Sequence, residues 1–483
     1  MSEEDTSSAT PHPTLPRAAG EGVSHSLGLW DATAIVAGSM IGSGIFLVSA
    51  AIARSTGSPG WLLAVWALAG AMTVAAALSY GELAAMFPAA GGQYVYLREA
   101  FGELWAFLFG WTQLLVIQTG TIAAVAVAFA RFLGVLVPAI DDHGLAGIGF
   151  VTPQRLVAIA LLLALTYVNT RGLQFGKVIQ DGFTLAKAGV LLALVGLGLF
   201  AYAGAQPAAS AANGLWAHPF FGPIPLATLG PAMVGALFSA DAWNNITFTA
   251  GEVRNPKRNL PGALILGTGV TIALYLAVNV SYLAAMPFGS IAHAPSDRVA
   301  SAMVQQLVGP GAAVLVAIGI LISTFGCVNG MVLTGARVSY AMAMDGLFFR
   351  QAGRLNRAEV PGVALWMQAL WASLLCLTGT YSQLLDYVIF AVLLFYILTI
   401  GGLFKLRRTQ PDRPRSYRAV GYPVLPAVYV LAAAAVAVSL LIAPETRFQS
   451  LAGLACVIAG LPVFAVSLRK RARFHGPILR RST

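Results

Sequence analysis

The sequence predicts an all-α membrane protein of twelve transmembrane helices, arranged as two inverted repeats of five followed by two more. Three observations carry this expectation. Of 483 residues, 58% are apolar and only 10% are charged, with a mean hydropathy of +0.76, whereas a soluble domain carries about 25% charged residues. The apolar residues gather into runs of the roughly 20 to 24 residues that cross a bilayer as a helix. The first and sixth runs, five apart, are both interrupted at mid-depth by small and polar residues, as two copies of one inverted unit would be. A dozen spans leave no room for a large soluble domain.

Residues 1–28 are polar and rich in Ser, Pro and Ala, without the apolar core of a cleavable signal, and are expected to form a cytoplasmic tail. Apolar runs and breakers then place spans near 29–53, 60–84, 103–131, 152–170, 182–204, 226–250, 260–286, 311–340, 361–380, 384–404, 424–443 and 449–468. The first repeat covers 29–204 and the second 226–406. Two further helices occupy 424–468, and a basic tail 469–483. On the side of the termini this topology gathers 23 of the 29 Lys and Arg residues, and on the other side 5. Both termini are therefore expected in the cytoplasm of a multi-pass cell-membrane protein. The net charge of +10 is scattered through short loops, so topology explains it better than a nucleic-acid partner does. Cys327, Cys376 and Cys456 all lie in apolar runs, the placement of small core residues and not of a disulfide framework.

Span 1 contains Gly38-Ser39-Met40-Ile41-Gly42-Ser43-Gly44-Ile45-Phe46. Each glycine weakens a helix by roughly 1 kcal/mol relative to alanine. Such a stretch is either a close-packing face for a neighbouring helix or a helix break that frees amide N–H groups to hold an anion. Span 6 favours the break, because Phe238-Ser239-Ala240-Asp241-Ala242-Trp243 sets a carboxylate among small residues at the same depth.

These residues resemble a known family. Gly42-Ser43-Gly44-Ile45-Phe46, Gly57-Ser58-Pro59-Gly60, Tyr80-Gly81-Glu82-Leu83 and Gly91-Gly92-Gln93-Tyr94-Val95-Tyr96 are similar to the opening of the amino acid-polyamine-organocation superfamily, specifically its L-type amino acid transporter branch. The stretches Phe238 to Trp243, Glu252 to Pro261 and Ser323 to Gly330 resemble the same branch, in the same order, from about residue 29 to 470.

The resemblance implies a LeuT-like fold with helices 1 and 6 interrupted, and amino acid transport by alternating access. It implies that the amides of Ser43 and Gly44 hold the substrate carboxylate, that the carbonyls of Met40, Phe238 and Asp241 hold its amine, and that Asn244 joins the substrate set. Freed half-helix ends can bind a zwitterion in this way without a buried side-chain charge. The Phe238 ring would cover the substrate, unless it is an ordinary core or lipid-facing aromatic.

Lys187 is the single Lys or Arg placed deep in a span, where charge is costly and functional. By resemblance it stands where sodium-coupled relatives hold a cation, with Ser323 and Thr324 of span 8 as neighbours, which implies sodium independence. Asp241 has three open readings: a partner for a cationic side chain, a titrating group, or a structural acceptor for freed N–H groups. Ala240 and Ala242 replace residues that are often Tyr and Gly in this motif, which bears on pocket shape and on the ease of unwinding. The expected activity is sodium-independent exchange of neutral L-amino acids, with cationic ones left open. The alternative is a proton-coupled amino acid or amine/polyamine transporter.

Glu252 with Arg254, Lys257 and Arg258 reads as an ion-pair latch or as topogenic charge. Glu82, Arg98 and Glu99 flank a Pro88, Gly91, Gly92 stretch that reads as an interfacial segment or a loop. Light subunits of this branch bond a glycoprotein through a cysteine between spans 3 and 4. Residues 132–151 contain none, so no disulfide-linked heavy subunit is expected. No cofactor or metal is implied. A membrane-embedded enzyme would need converging catalytic groups at membrane depth, yet all six histidines lie in tails or loops; a channel would need a continuous polar lining.

Overall fold

The computed structural model describes residues 27–88, 91–140, 151–172, 177–204 and 219–475; side chains at 177–181, 226 and 468–475 are outside the description. Residues 1–26, 141–150 and 476–483, where the sequence places the N-terminal tail, the connection after span 3 and the end of the basic tail, lie outside the described residues. Within them the chain is helical, apart from one isolated parallel bridge between Leu27 and Val253.

The helices follow the predicted runs. The first run is two helices, α1 (Leu29–Met40) and α2 (Gly44–Thr56), bent by 43°. The Asp31 carboxylate accepts the Gly28 N–H at 2.8 Å to start α1, and Gly57, at φ 64°, ends α2 in the left-handed conformation that favours glycine. Next come α3 (Pro59–Met86) and a short α4 (Gln93–Phe101), which occupies the segment left open as an interfacial stretch or loop. The third run is longer than expected: α5 (Glu103–Thr112) continues through a π-helical turn at Gln113–Ile117 into α6 (Gln118–Leu136). It is followed by α7 (Pro153–Thr170) and α8 (Lys177–Gly204).

The sixth run stops early. α9 (Leu226–Ser239) ends at the Asp241 segment, and only a single turn, α10 (Asn245–Phe248), resumes beyond it. α11 (Pro256–Ala285) leads to two short helices, α12 (Phe288–Ala292) and α13 (Val299–Leu307), and then to α14 (Pro310–Met344) and α15 (Gly362–Thr378). α16 (Tyr381–Thr409) begins three residues before the expected span, because the Thr380 hydroxyl and the Gln383 side chain cap each other's backbone N–H groups. α17 (Val424–Ile442) and α18 (Pro444–His475) complete the chain.

Eight of these segments are long and apolar enough to cross a membrane, and α1 with α2 makes a ninth if the bent pair is one span. Large apolar side chains are exposed on the outer helices, among them Leu185, Phe200, Leu315 and Leu431, a surface that suits lipid and not water. At the centre, α1 packs against α8, α11 and α14, and α2 packs along α9. Small residues permit these approaches. A Cβ on Gly44 would lie 2.7 Å from the Cβ of Ser239 and 3.1 Å from its Cα, so only glycine lets α2 sit this close to the end of α9. The Gly-Ser-Gly stretch thus both breaks the helix and lets its second half pack closely.

Candidate functional site

An α-helix leaves its last four carbonyls without helical donors. In α1 the last backbone bond is Ile41 N–H to Ala37 O at 2.9 Å, so the carbonyls of Gly38, Ser39, Met40 and Ile41 face a buried interior unpaired. Each receives a side chain from a different part of the bundle. The Lys187 ammonium donates to Gly38 O at 2.8 Å, and the Cys327 thiol lies 3.6 Å from Ser39 O. The Tyr275 hydroxyl donates to Met40 O at 2.7 Å, and the Ser323 hydroxyl to Ile41 O at 3.4 Å. The cation at this end also complements the negative end of the helix dipole.

On the far side of the break, the backbone N–H groups of Ser43 and Gly44 have no acceptor among the described residues. Ser43 is buried, and its hydroxyl lies 3.1 Å from that of Tyr381 at the start of α16. Two unpaired amides at the positive end of α2 are suited to an anionic group.

The second break lies alongside. Ala242 takes φ 64°, a left-handed geometry that costs a non-glycine residue about 1–2 kcal/mol, so the alanine in place of the usual glycine does not prevent the unwinding. The Asp241 carboxylate accepts the Tyr396 hydroxyl at 2.6 Å. The Asn244 amide donates to Gln93 at 3.1 Å, and Gln93 in turn donates to the Thr399 hydroxyl at 3.0 Å. Phe238 meets Tyr381 edge to face with ring centroids 6.3 Å apart. The Tyr275 hydroxyl is also 3.1 Å from Ser239 O, so one side chain of α11 reaches the carbonyl end of both broken helices.

The residues singled out by sequence thus fall into one region. Met40, Ser43 and Gly44 form the first break, and Phe238, Asp241 and Asn244 the second. Lys187 and Ser323 sit on the first break's carbonyls. Thr324 does not join them: its hydroxyl lies 2.9 Å from Ile320 O and 3.2 Å from Leu321 O of its own helix. Tyr275, Tyr381, Tyr396 and Gln93 were not anticipated. The available signal was a hydroxyl or amide inside an otherwise apolar run, since a buried tyrosine hydroxyl finds a partner.

The flanking charges resolve as well. Glu82 is fully buried and accepts Nε and Nη2 of Arg407 along one guanidinium edge, at 2.9 and 2.5 Å, together with the Ala419 N–H at 2.7 Å. Arg98 pairs with Asp345 at 2.6 Å. Glu252 pairs with Arg337, across to α14. At the opposite end Asp297 pairs with Arg54 at 2.8 Å.

Comparison with known proteins agrees with this geometry. The amino acid permease family model matches residues 27–461. The serine/threonine exchanger SteT of Bacillus subtilis is 29% identical, over 93% of this chain and 98% of the exchanger. The human b(0,+)-type amino acid transporter 1 is 30% identical over 89% of this chain and 85% of that protein. The human large neutral amino acids transporter small subunit 2 is 31% identical over 92% and 81%. With two broken helices meeting beside a pair of unpaired amides inside a membrane bundle, and a family match spanning nearly the whole chain, this protein is a transporter and not an enzyme, and it belongs to the amino acid permease family.

Proposed function

We propose that this chain is a sodium-independent amino acid exchanger working by alternating access. In this reading its twelve spans form a LeuT-like five-plus-five inverted repeat with two appended helices, and both termini are cytoplasmic. The observation that carries the proposal is the pairing of free Ser43 and Gly44 amides with a ring of carbonyls across one short break. A zwitterion matches both ends, its carboxylate on the amides and its amine at the carbonyls of Met40, Phe238 and Asp241. Lys187, donating at 2.8 Å to Gly38 O, would stand in for a metal cation there, which supports the sodium-independent reading.

The relatives named as exchangers or amino acid transporters support exchange of neutral L-amino acids. A cationic substrate would have to share the Asp241 carboxylate with the Tyr396 hydroxyl. Cys327 and Cys376 are buried and Cys456 is partly so, which argues against a disulfide to a heavy subunit. The second reading, proton-coupled transport of amino acids or amines, rests on Asp241 being a buried carboxylate beside the break.

The test is uptake of radiolabelled amino acid into liposomes. Uptake is expected to rise several-fold when unlabelled amino acid is loaded inside, and to be unchanged when sodium is replaced by choline. Uptake that ignores internal amino acid but follows an imposed proton gradient would favour the second reading.

A further inference from the structure

A cavity with about 20 Å³ of free space, room for one or two waters or a small polar group, opens directly against the second break, with Asp241, Ala242 and Tyr396 in its wall. Its remaining lining is unusual for a membrane interior because half of it, five of ten residues, is side-chain amide: Gln93, Gln113, Gln118, Asn244 and Asn245, each more than nine-tenths buried, the rest being Thr121 and apolar side chains. The π-helical turn Gln113–Ile117 builds part of it, since its i to i+5 repeat brings Gln113 over Gln118.

Three of these amides each use one of their two N–H donors. Gln113 donates to Gln118 at 2.9 Å, Gln118 to Met331 O at 2.7 Å, and Asn244 to Gln93 at 3.1 Å. That leaves a second N–H on each of these three amides, the Gln113 and Asn244 carbonyl oxygens and the whole Asn245 side-chain amide without protein partners among the described residues. Buried polar groups of this kind ask for hydrogen bonds.

We infer that this cavity is the side-chain subsite of the transported amino acid, and that it selects a small uncharged hydrogen-bonding group, a hydroxyl or a primary amide. The inference rests on the exchanger reading above. An apolar side chain would strand several amide atoms without partners, the situation in which a polar site discriminates most strongly. A cationic side chain would bring a charge into a lining whose one carboxylate, Asp241, already accepts a 2.6 Å bond from Tyr396, and neutral amides do not offset the desolvation of an ion.

The experiment uses the full-length protein in liposomes, with radiolabelled alanine as the probe and unlabelled competitors in near-isosteric pairs. Threonine is expected to compete at least tenfold more strongly than valine, and asparagine at least tenfold more strongly than leucine, with lysine and arginine weaker than either polar member. In Gln113→Met and Asn245→Leu the asparagine-to-leucine ratio is expected to fall toward one. Pair ratios near one in the wild-type protein, or lysine and arginine as the strongest competitors, would overturn the inference while leaving amino acid transport intact. Failure of every α-amino acid to compete would overturn both. Because the wild-type panel decides by itself, variants that fail to fold do not rescue the idea.

Discussion

Replacement of Lys187 by methionine tests how the first break is held. Of the four donors on the α1 carbonyls, Lys187 at 2.8 Å and Tyr275 at 2.7 Å are short, whereas Ser323 at 3.4 Å and Cys327 at 3.6 Å are long. A neutral hydrogen bond contributes about 0.5–1.5 kcal/mol and a charge-assisted one about 1.5–3 kcal/mol. Lys187 therefore holds the largest share. Methionine keeps the apolar stem and removes the ammonium, leaving Gly38 O without a donor in a fully buried setting. A loss of about 2 kcal/mol corresponds to roughly a 30-fold shift in the population of the transport-competent break, because 1.4 kcal/mol is a factor of ten. Exchange in liposomes should fall at least tenfold at unchanged protein level and unchanged elution on size exclusion. Thr324→Val is the internal control: its hydroxyl bonds its own helix, so uptake should stay within about threefold of wild type. If Lys187→Met exchanged normally, or if Thr324→Val were equally damaging, the lysine would be a packing residue and the assignment of the break's carbonyls would be wrong.

An amine lacking the α-carboxylate should compete at least tenfold more weakly than its parent amino acid, since the Ser43 and Gly44 amides would be left unpaired at a cost of about 1–3 kcal/mol; equal competition would mark an amine site. Tyr396→Phe frees the Asp241 carboxylate, so lysine should gain at least fivefold as a competitor relative to serine, and an unchanged ratio would show that the tyrosine does not screen the aspartate. Glu82→Gln removes the fully buried carboxylate that pairs with one guanidinium edge of Arg407 and should cost about 3–5 kcal/mol. Asp297→Asn, whose ion pair is partly exposed, should cost about 1 kcal/mol or less. Thermal unfolding in detergent with equal losses for these two variants would contradict the burial argument. Cysteine at His293 should label from outside intact cells and cysteine at Thr409 only after permeabilisation; the reverse pattern would invert the topology.

The hydropathy runs and the two weak points at Gly42-Ser43-Gly44 and Asp241 were legible along the chain, because helix length and backbone propensity are local quantities. So was Lys187, conspicuous as a charge inside an apolar run. What the folded bundle alone decided is which distant groups answer the exposed backbone. Tyr275 reaches Met40 across 235 positions of sequence, Tyr396 reaches Asp241 across 155, and Arg407 reaches Glu82 across 325. None of these pairs has a periodicity or spacing that betrays it, since each tyrosine in isolation reads as one more aromatic in an apolar helix. The π-helical turn at Gln113 is equally silent in sequence, being one extra residue in a helical turn accommodated by packing. A helix break can be read from glycine and small residues, because it is a failure of local bonding. The partners that repair it are selected by tertiary packing, because a buried carbonyl accepts whichever donor the neighbouring helices bring within 3 Å or so.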